Sequence, residues 1–321
     1  MINFIKGQFV NQKMMRTVLL ALMPIIVFAS YYYGLRVLLL LFIVTSVGTI
    51  TEYLWEKHRG KKVSEAVFVT CILYTLTLPV SIPIWIAVLG VFFGIFFGKL
   101  VFGGFGRNVF NPALVGRAFV YVNFPEPLTI SWNKVASGFP GGFGTFITEG
   151  IDAISGATPM VLFTNTKETI DFPSLLMGTI PGSMGETCKI FIIIAGLYLI
   201  YKKVASWEIM MGSILGFMAT SGIIYYFTDG NVANPLYGML IGGFLFGTVF
   251  MATDPISAAK TKNGKWIYGM IIGVVTVLIR GFSLFNGGVM FAILIANIFA
   301  PIIDYFVKEV KTSKKQKEVA S

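Results

Sequence analysis

Histidine and cysteine are nearly missing from this chain of 321 residues, which has one of the first and two of the second. His58 lies in Glu56-Lys57-His58-Arg59-Gly60-Lys61-Lys62 and reads as a solvated loop residue, so histidine catalysis and histidine metal ligation are not expected. Cys71 and Cys188 sit among apolar neighbours in opposite halves, without CxxC spacing, and read as small buried hydrophobes. Charge is scarce too. Only 12% of residues are charged against 55% hydrophobic, at a mean hydropathy of +0.78, which excludes a soluble domain and makes this an integral membrane protein. No pair of carboxylates has an acid–base spacing, and no glycine-rich nucleotide loop stands between a strand and a helix. The net charge of +10 is spread in short basic groups between apolar runs, the pattern of membrane orientation and not of nucleic-acid binding. No small-residue cleavage site follows Lys6, Lys13 and Arg16 before the next hydrophobic segment, so a cleavable signal peptide is not expected.

What is abundant is apolar sequence in helix-length runs. A spanning helix needs about 20 mostly apolar residues. Such runs cover 17–33, 35–55, 65–80, 82–100 and 111–124, and then 187–201, 207–227, 235–253, 266–280 and 287–306. The expectation is an all-α integral membrane protein of about ten transmembrane helices in two inverted five-helix halves. The third, fifth and sixth runs are short enough to be tilted, broken or re-entrant. The chain divides into a first membrane half (1–124), a polar loop segment (125–186), a second membrane half (187–306) and a basic tail (307–321). A faint echo between Val109-Phe110-Asn111-Pro112-Ala113 and Leu284-Phe285-Asn286-Gly287-Gly288, each opening the last span of its half, agrees with a repeat.

Charge sets the orientation. With a cytoplasmic N-terminus, the inside loops and tail hold Lys57, Arg59, Lys61, Lys62, Lys99, Arg107, Lys202, Lys203, Lys260, Lys262, Lys265 and the tail lysines. The outside segments hold Arg36, Lys134, Lys167 and Arg280, with Lys189 at a span edge. This asymmetry puts both termini in the cytoplasm and the 125–186 loop on the other side.

Within that loop runs Asp152-Ala153-Ile154-Ser155-Gly156-Ala157-Thr158-Pro159. Gly156 and Ala157 keep space clear beside the Thr158 hydroxyl, and Pro159 biases Thr158 towards extended geometry. A hydroxyl held in this way can carry a large modifying group. The same residues also make an ordinary exposed turn.

Two further constellations stand out. Gly103-Gly104-Phe105-Gly106-Arg107-Asn108-Val109-Phe110-Asn111-Pro112-Ala113 leads into Gly116-Arg117-Ala118-Phe119. Asn111-Pro112 is a good N-cap and first-turn pair, and Asn108 and Asn111 offer amide donors and acceptors suited to the polar edge of a flat heterocycle. Capping alone accounts for Asn111 equally well. Arg117 lies inside a short span, where a charge costs about 2.5–3.5 kcal/mol on insertion scales, so it needs a partner or a ligand. In Met251-Ala252-Thr253-Asp254-Pro255-Ile256-Ser257, Asp254-Pro255 breaks a helix and leaves a carboxylate near the membrane surface; with Asp304 and Glu52 it is a candidate ion contact. Phe139-Pro140-Gly141-Gly142-Phe143-Gly144 reads as flexible loop.

Taken together, these residues resemble the NqrB/RnfD family: the RnfD subunit of the ion-translocating Rnf electron-transport complex, and the related NqrB subunit of the sodium-pumping NADH:quinone reductase. The likeness rests on Asp152-x-x-Ser155-Gly156-Ala157-Thr158, Gly106–Ala113, Gly116–Phe119, Met251–Pro255 and Asn297-Ile298-Phe299-Ala300-Pro301-Ile302-Ile303-Asp304-Tyr305. It implies FMN joined to Thr158 by a phosphoester bond, within the motif of Asp152, Ser155, Gly156 and Ala157, attached by a flavin transferase outside the cytoplasm. It implies a second, non-covalent flavin, riboflavin, at Asn108 and Asn111, with Arg117 a candidate neighbour. The implied role is electron relay in an inner-membrane ferredoxin:NAD+ oxidoreductase that moves Na+ or H+, with the other Rnf subunits (A, B, C, E and G) as partners and no activity alone. A first span beginning by about Thr17 favours Rnf over the quinone-reductase subunit, which typically has a longer leading segment. A cofactor-free inverted-repeat transporter or channel, and an unmodified membrane scaffold, are the competing readings.

Overall fold

Away from water a segment must satisfy its own backbone hydrogen bonds, and apolar runs of this length do so as helices. In the computed structural model, which describes residues 9–129, 132–146, 157–228, 232–283, 285 and 288–320, every expected span contains helix. Four long helices are α1 (Lys13–Tyr33), α2 (Arg36–His58), α10 (Trp207–Phe227) and α13 (Lys262–Phe282), and a fifth is α14 (Gly288–Ala320). Among the described residues these five are long and apolar enough to cross a membrane, α14 over its 288–313 part. The shorter apolar helices are α3 (Ala66–Leu76), α4 (Ile84–Ile95), α5 (Pro112–Asn123) and α9 (Lys189–Tyr201). At about 1.5 Å per residue, an 11- to 13-residue helix covers roughly half the hydrocarbon thickness.

Two sequence expectations, on His58 and on the glycine stretch near 140, need correction. His58 is exposed, but it closes the last turn of α2 and is not in a loop. The basic tail continues α14, which runs on through Pro301 to Ala320; Pro301 lacks the N–H that would bond the Asn297 carbonyl, and the helix passes it without a break. The glycine stretch near 140 is seated. Gly141–Gly144 forms a tight turn against the end of α1, where a Cβ on Gly142 would stand 2.5 Å from Gly34 N, and Leu35 N donates to Thr145 O. A two-residue parallel pairing of β1 (Phe9–Val10) with β2 (Val63–Ser64) adds to the all-α architecture. The expected echo at 284–288 falls partly outside the described residues. Cys71 and Cys188 are buried free thiols, as expected.

Close helix contacts come from glycine. In the second half, Gly212 and Gly216 of α10 meet Gly269 and Gly273 of α13, where a Cβ on Gly269 would lie 2.5 Å from Ile209 O and one on Gly216 2.6 Å from Met270 O. In the first half, Gly94 of α4 and Gly116 of α5 are pressed together in the same way. Without a hydrophobic drive between helices in lipid, such backbone approach supplies the packing energy.

The helix breaks sit inside the protein, where their freed carbonyls find donors. Leu78–Ile82, between α3 and α4, is buried; Ile82 O accepts from Arg36 Nη2 at 2.8 Å, and Leu78 O from Met184 N at 3.1 Å. In the second half, α11 (Pro235–Leu240) and the short α12 (Phe244–Phe246) are separated by Ile241–Gly243, and Arg280 donates to Gly238 O (2.7 Å) and Ile241 O (3.2 Å). Arg36 and Arg280 thus brace the inside of the bundle, and neither is the plain loop charge the sequence implied. Lys99 and Lys189 are likewise buried. Both α4 and α12 widen into a single π-helical turn, at Phe96–Leu100 and Gly247–Met251, before a loop that leads back into the bundle.

Residues 125–188 carry α6 (Pro125–Thr129), α7 (Pro159–Thr166) and α8 (Phe172–Met177). They are tied to the C-terminal end of α1 by Tyr31 OH to Gly138 O (2.8 Å) and Tyr32 OH to Met177 O (2.9 Å). Asp171 caps α8, and the Ser174 N–H holds its carboxyl below the usual carboxylate range.

Candidate functional site

Two cavities open within the bundle, and they divide the expected site residues between them. The first is lined by Lys99, Phe105, Asn108, Asn111, Thr253 and Asp254. The second is lined by Arg117, Thr158, Glu186, Lys189 and Arg280. Asn111 and Pro112 border one, and Leu114 and Arg117 the other; Val249 and Phe250 border the first, Gly247 and Met251 the second. The first turn of α5 and the 247–251 turn are therefore the wall between them.

A polar tie closes that wall. Asn111 caps α5 by accepting from Ala113 N (3.0 Å) and Leu114 N (3.4 Å), and its amide donates to Met251 O (3.2 Å). Its own N–H donates to Oδ1 of Asn297, whose Nδ2 donates to Tyr268 OH (2.7 Å) and Ser257 O (3.2 Å). The Asn111 side chain is thus used for capping and for tying two halves of the chain together. Asn108 is buried and donates to Phe110 O (3.0 Å), with its Oδ1 free of hydrogen bonds from the described residues, so of the two asparagines it is the one with an acceptor to offer. Asn297→Ala is expected to strand the Asn111 N–H and the Ser257 carbonyl in a buried place, at about 1–3 kcal/mol per group. Thermal unfolding in detergent reads this as a clear drop in Tm; an unchanged Tm refutes the tie.

The candidate ion contacts are engaged in structure. Glu52 pairs with Lys99 (2.6 Å) and accepts from Ser64, and Asp304 accepts from Lys260 N, Thr261 N and Thr261 Oγ1 at 2.6–2.8 Å. Asp254 accepts from Ser257 Oγ (2.7 Å) at the edge of the first cavity.

In the second cavity Thr158 takes the extended geometry its following proline favours (φ −66°, ψ 155°) and is 9% exposed. Its Oγ1 accepts from Val161 N at 3.3 Å as the N-cap of α7. Ala157 beside it is exposed; Asp152, Ser155 and Gly156 lie outside the described residues. Arg117 has no hydrogen bond among the described residues, and its Nε and that of Arg280 are shut off from solvent with no acceptor. A cavity lined by two arginines with unsatisfied donors and by a helix N-cap hydroxyl fits an oxyanion such as a phosphate group. Glu186, Lys189 and Arg280 were not singled out from sequence, although the last two are charges set within or beside apolar runs, which is a signal in itself.

The model of the NQR2, RnfD, RnfE family matches residues 3–313. The B subunit of the Na(+)-translocating NADH-quinone reductase of Chromohalobacter salexigens is 39% identical over 308 residues, covering 92% of this chain and 71% of that protein. The subunits of the same name from Haemophilus influenzae and Pseudomonas aeruginosa are 40% and 41% identical, covering 85% and 88% of this chain and 67% and 69% of theirs. With a family match over almost its full length and relatives at this identity, the chain belongs to the NQR2, RnfD, RnfE family.

Proposed function

We propose that this chain is a redox subunit of an ion-translocating electron-transport complex in the cell membrane, carrying FMN esterified through its phosphate to Thr158 and riboflavin beside Asn108. The observation that supports it is that the Thr158 hydroxyl, the Arg117 guanidinium without a hydrogen bond among the described residues, and Arg280, whose Nε lacks an acceptor, line one cavity, back to back with the Asn108 cavity. When bound, the isoalloxazine rings supply electron transfer, and the protein supplies position and potential. Thr158 Oγ1 keeps a lone pair for Val161 N–H after esterification, so α7 stays capped and its N-terminus faces the phosphate. Asn108 Oδ1 offers an acceptor to a flavin edge, while Asn111 and Asn297 hold the wall between the cavities rigid.

In this reading the chain has ten spans in two inverted halves, with both termini cytoplasmic and the 125–186 segment outside, where a flavin transferase reaches Thr158. With Arg36, Lys99 and Lys189 buried and Arg280 spent on backbone carbonyls, the loop charges that remain are more one-sided than a raw count suggests. The complex is of Rnf type, taking electrons from ferredoxin to NAD+ with the other Rnf subunits and moving Na+ or H+. A second reading, an NADH–quinone reductase that moves Na+, is favoured by the names of the relatives. Membranes assayed with reduced ferredoxin and NAD+, and separately with NADH and quinone, distinguish the two.

The attachment is tested on the denatured polypeptide. The wild-type chain, made together with its flavin transferase, is expected to give a fluorescent band in a denaturing gel, and Thr158→Ala a dark one. A dark wild-type band removes the reading at its central residue.

A further inference from the structure

We propose that Arg280, Lys189 and Arg117 form a cationic wall that holds the phosphate of the group on Thr158, with Glu186 as the counter-charge that sets its strength. The inference rests on the attachment at Thr158 and adds residues to it. Each of the three cations lines the Thr158 cavity, from three different helices: Arg117 on α5, Lys189 at the start of α9, Arg280 near the end of α13. Glu186 lines it too, and it is the carboxylate that acts electrostatically on all three. One carboxylate facing three cations leaves the cavity with an excess of positive charge, in a setting where uncompensated charge is expensive. A phosphodiester on Thr158 brings a negative charge to that place.

The fold shows why Arg280 is there. The break at Ile241–Gly243 frees Gly238 O and Ile241 O, and Arg280 fills both with its terminal nitrogens while its guanidinium lies 5.6 Å over the Phe217 ring. Gly242 adopts φ +62°, and a Cβ there would stand 3.2 Å from Arg280 Nη2; a Cβ on Gly243 would stand 2.7 Å from Glu186 Oε2. The glycine pair thus admits a guanidinium and a carboxylate side by side. Two terminal nitrogens are anchored, and Nε remains buried without an acceptor. Lys189 is 1% exposed and donates from Nζ to Glu186 O, which fixes it at the same wall.

Fixed positive charge close to a redox group favours the form that has gained an electron. The test uses the complex purified with its flavin transferase, reading both band fluorescence in a denaturing gel and the midpoint potential of the attached flavin. Arg280→Gln and Arg117→Gln are expected to keep a fluorescent band but lower the potential by about tenfold in the electron-transfer equilibrium, ~59 mV for a one-electron couple. Glu186→Gln is expected to raise it. Arg280→Lys, which keeps the charge but not the forked donor, is expected to restore most of the Arg280→Gln shift, an outcome that a merely structural role does not give. If Arg280→Gln does not accumulate, Arg117→Gln and Glu186→Gln still decide the matter by their opposite signs. Fluorescent bands with potentials equal to wild type overturn the cationic wall and leave the Thr158 attachment standing. A dark wild-type band overturns the attachment, and this inference falls with it.

Discussion

Lys99→Met is expected to lower the stability of the detergent-solubilised protein by about 3–5 kcal/mol, the cost of leaving one member of a buried ion pair without its partner. Lys99 Nζ lies 2.6 Å from Glu52 Oε2 and 2.6 Å from Ser64 Oγ, and the two charged side chains are 2% and 1% exposed. Ser64 N and Oγ also donate to Glu52 Oε1, so the carboxylate keeps two donors when the lysine is removed. Those donors do not cancel its charge. The double substitution Lys99→Met/Glu52→Gln removes both charges and is expected to recover most of the loss, since a buried pair is worth little against a neutral replacement of similar volume. Unfolding by a graded denaturing detergent measures both. Equal losses in the single and double variants sink the idea that the stranded charge is the cause.

Gly216→Leu is expected to separate α10 from α13 and to destabilise by more than the ~1–3 kcal/mol typical of an overpacked core. The reason is what the new side chain meets. A Cβ at Gly216 would lie 2.6 Å from Met270 O and 3.0 Å from Met270 Cα, which are backbone atoms of a packed helix and cannot rotate away. A Leu at Gly222, six residues further along α10, meets only Pro235 Cγ at 3.8 Å and is the matched control. Similar thermal stability for the two variants would falsify the close-contact account.

Helix positions are readable in the sequence because apolar run length is a strong signal, and 207–227 coincides with α10 to the residue. The shortness of the third, fifth and sixth runs also carries through to α3, α5 and α9. Single charges are not readable in the same way. Arg36, Lys99, Lys189 and Arg280 each lie at or near the end of an apolar run, where a one-dimensional reading sees a loop charge. The bundle instead turns each of them to a carbonyl or carboxylate: Ile82 O for Arg36, Glu52 for Lys99, Glu186 O for Lys189 and Gly238 O for Arg280. Thr158, Asn108 and Asn111 stand out through motif likeness. That Asn111 caps α5 is readable in the Asn-Pro pair; that its amide also ties to Met251, and that Arg280 and Glu186 share a cavity with Thr158, depends on contacts between residues distant in the chain and leaves no local trace.

The uninterrupted run of α14 has a mechanical consequence. Its 33 residues make a rod about 50 Å long at 1.5 Å per residue, against a hydrocarbon layer of about 30 Å. Asp304 fastens that rod to Thr261 and Lys260, and Asn297 lies two turns further in, in contact with the cap of α5. The fastening is a fulcrum. A sideways load on the C-terminal arm is therefore expected to turn the rod about Asp304 and to reach the Asn297–Asn111 contact at the partition between the cavities.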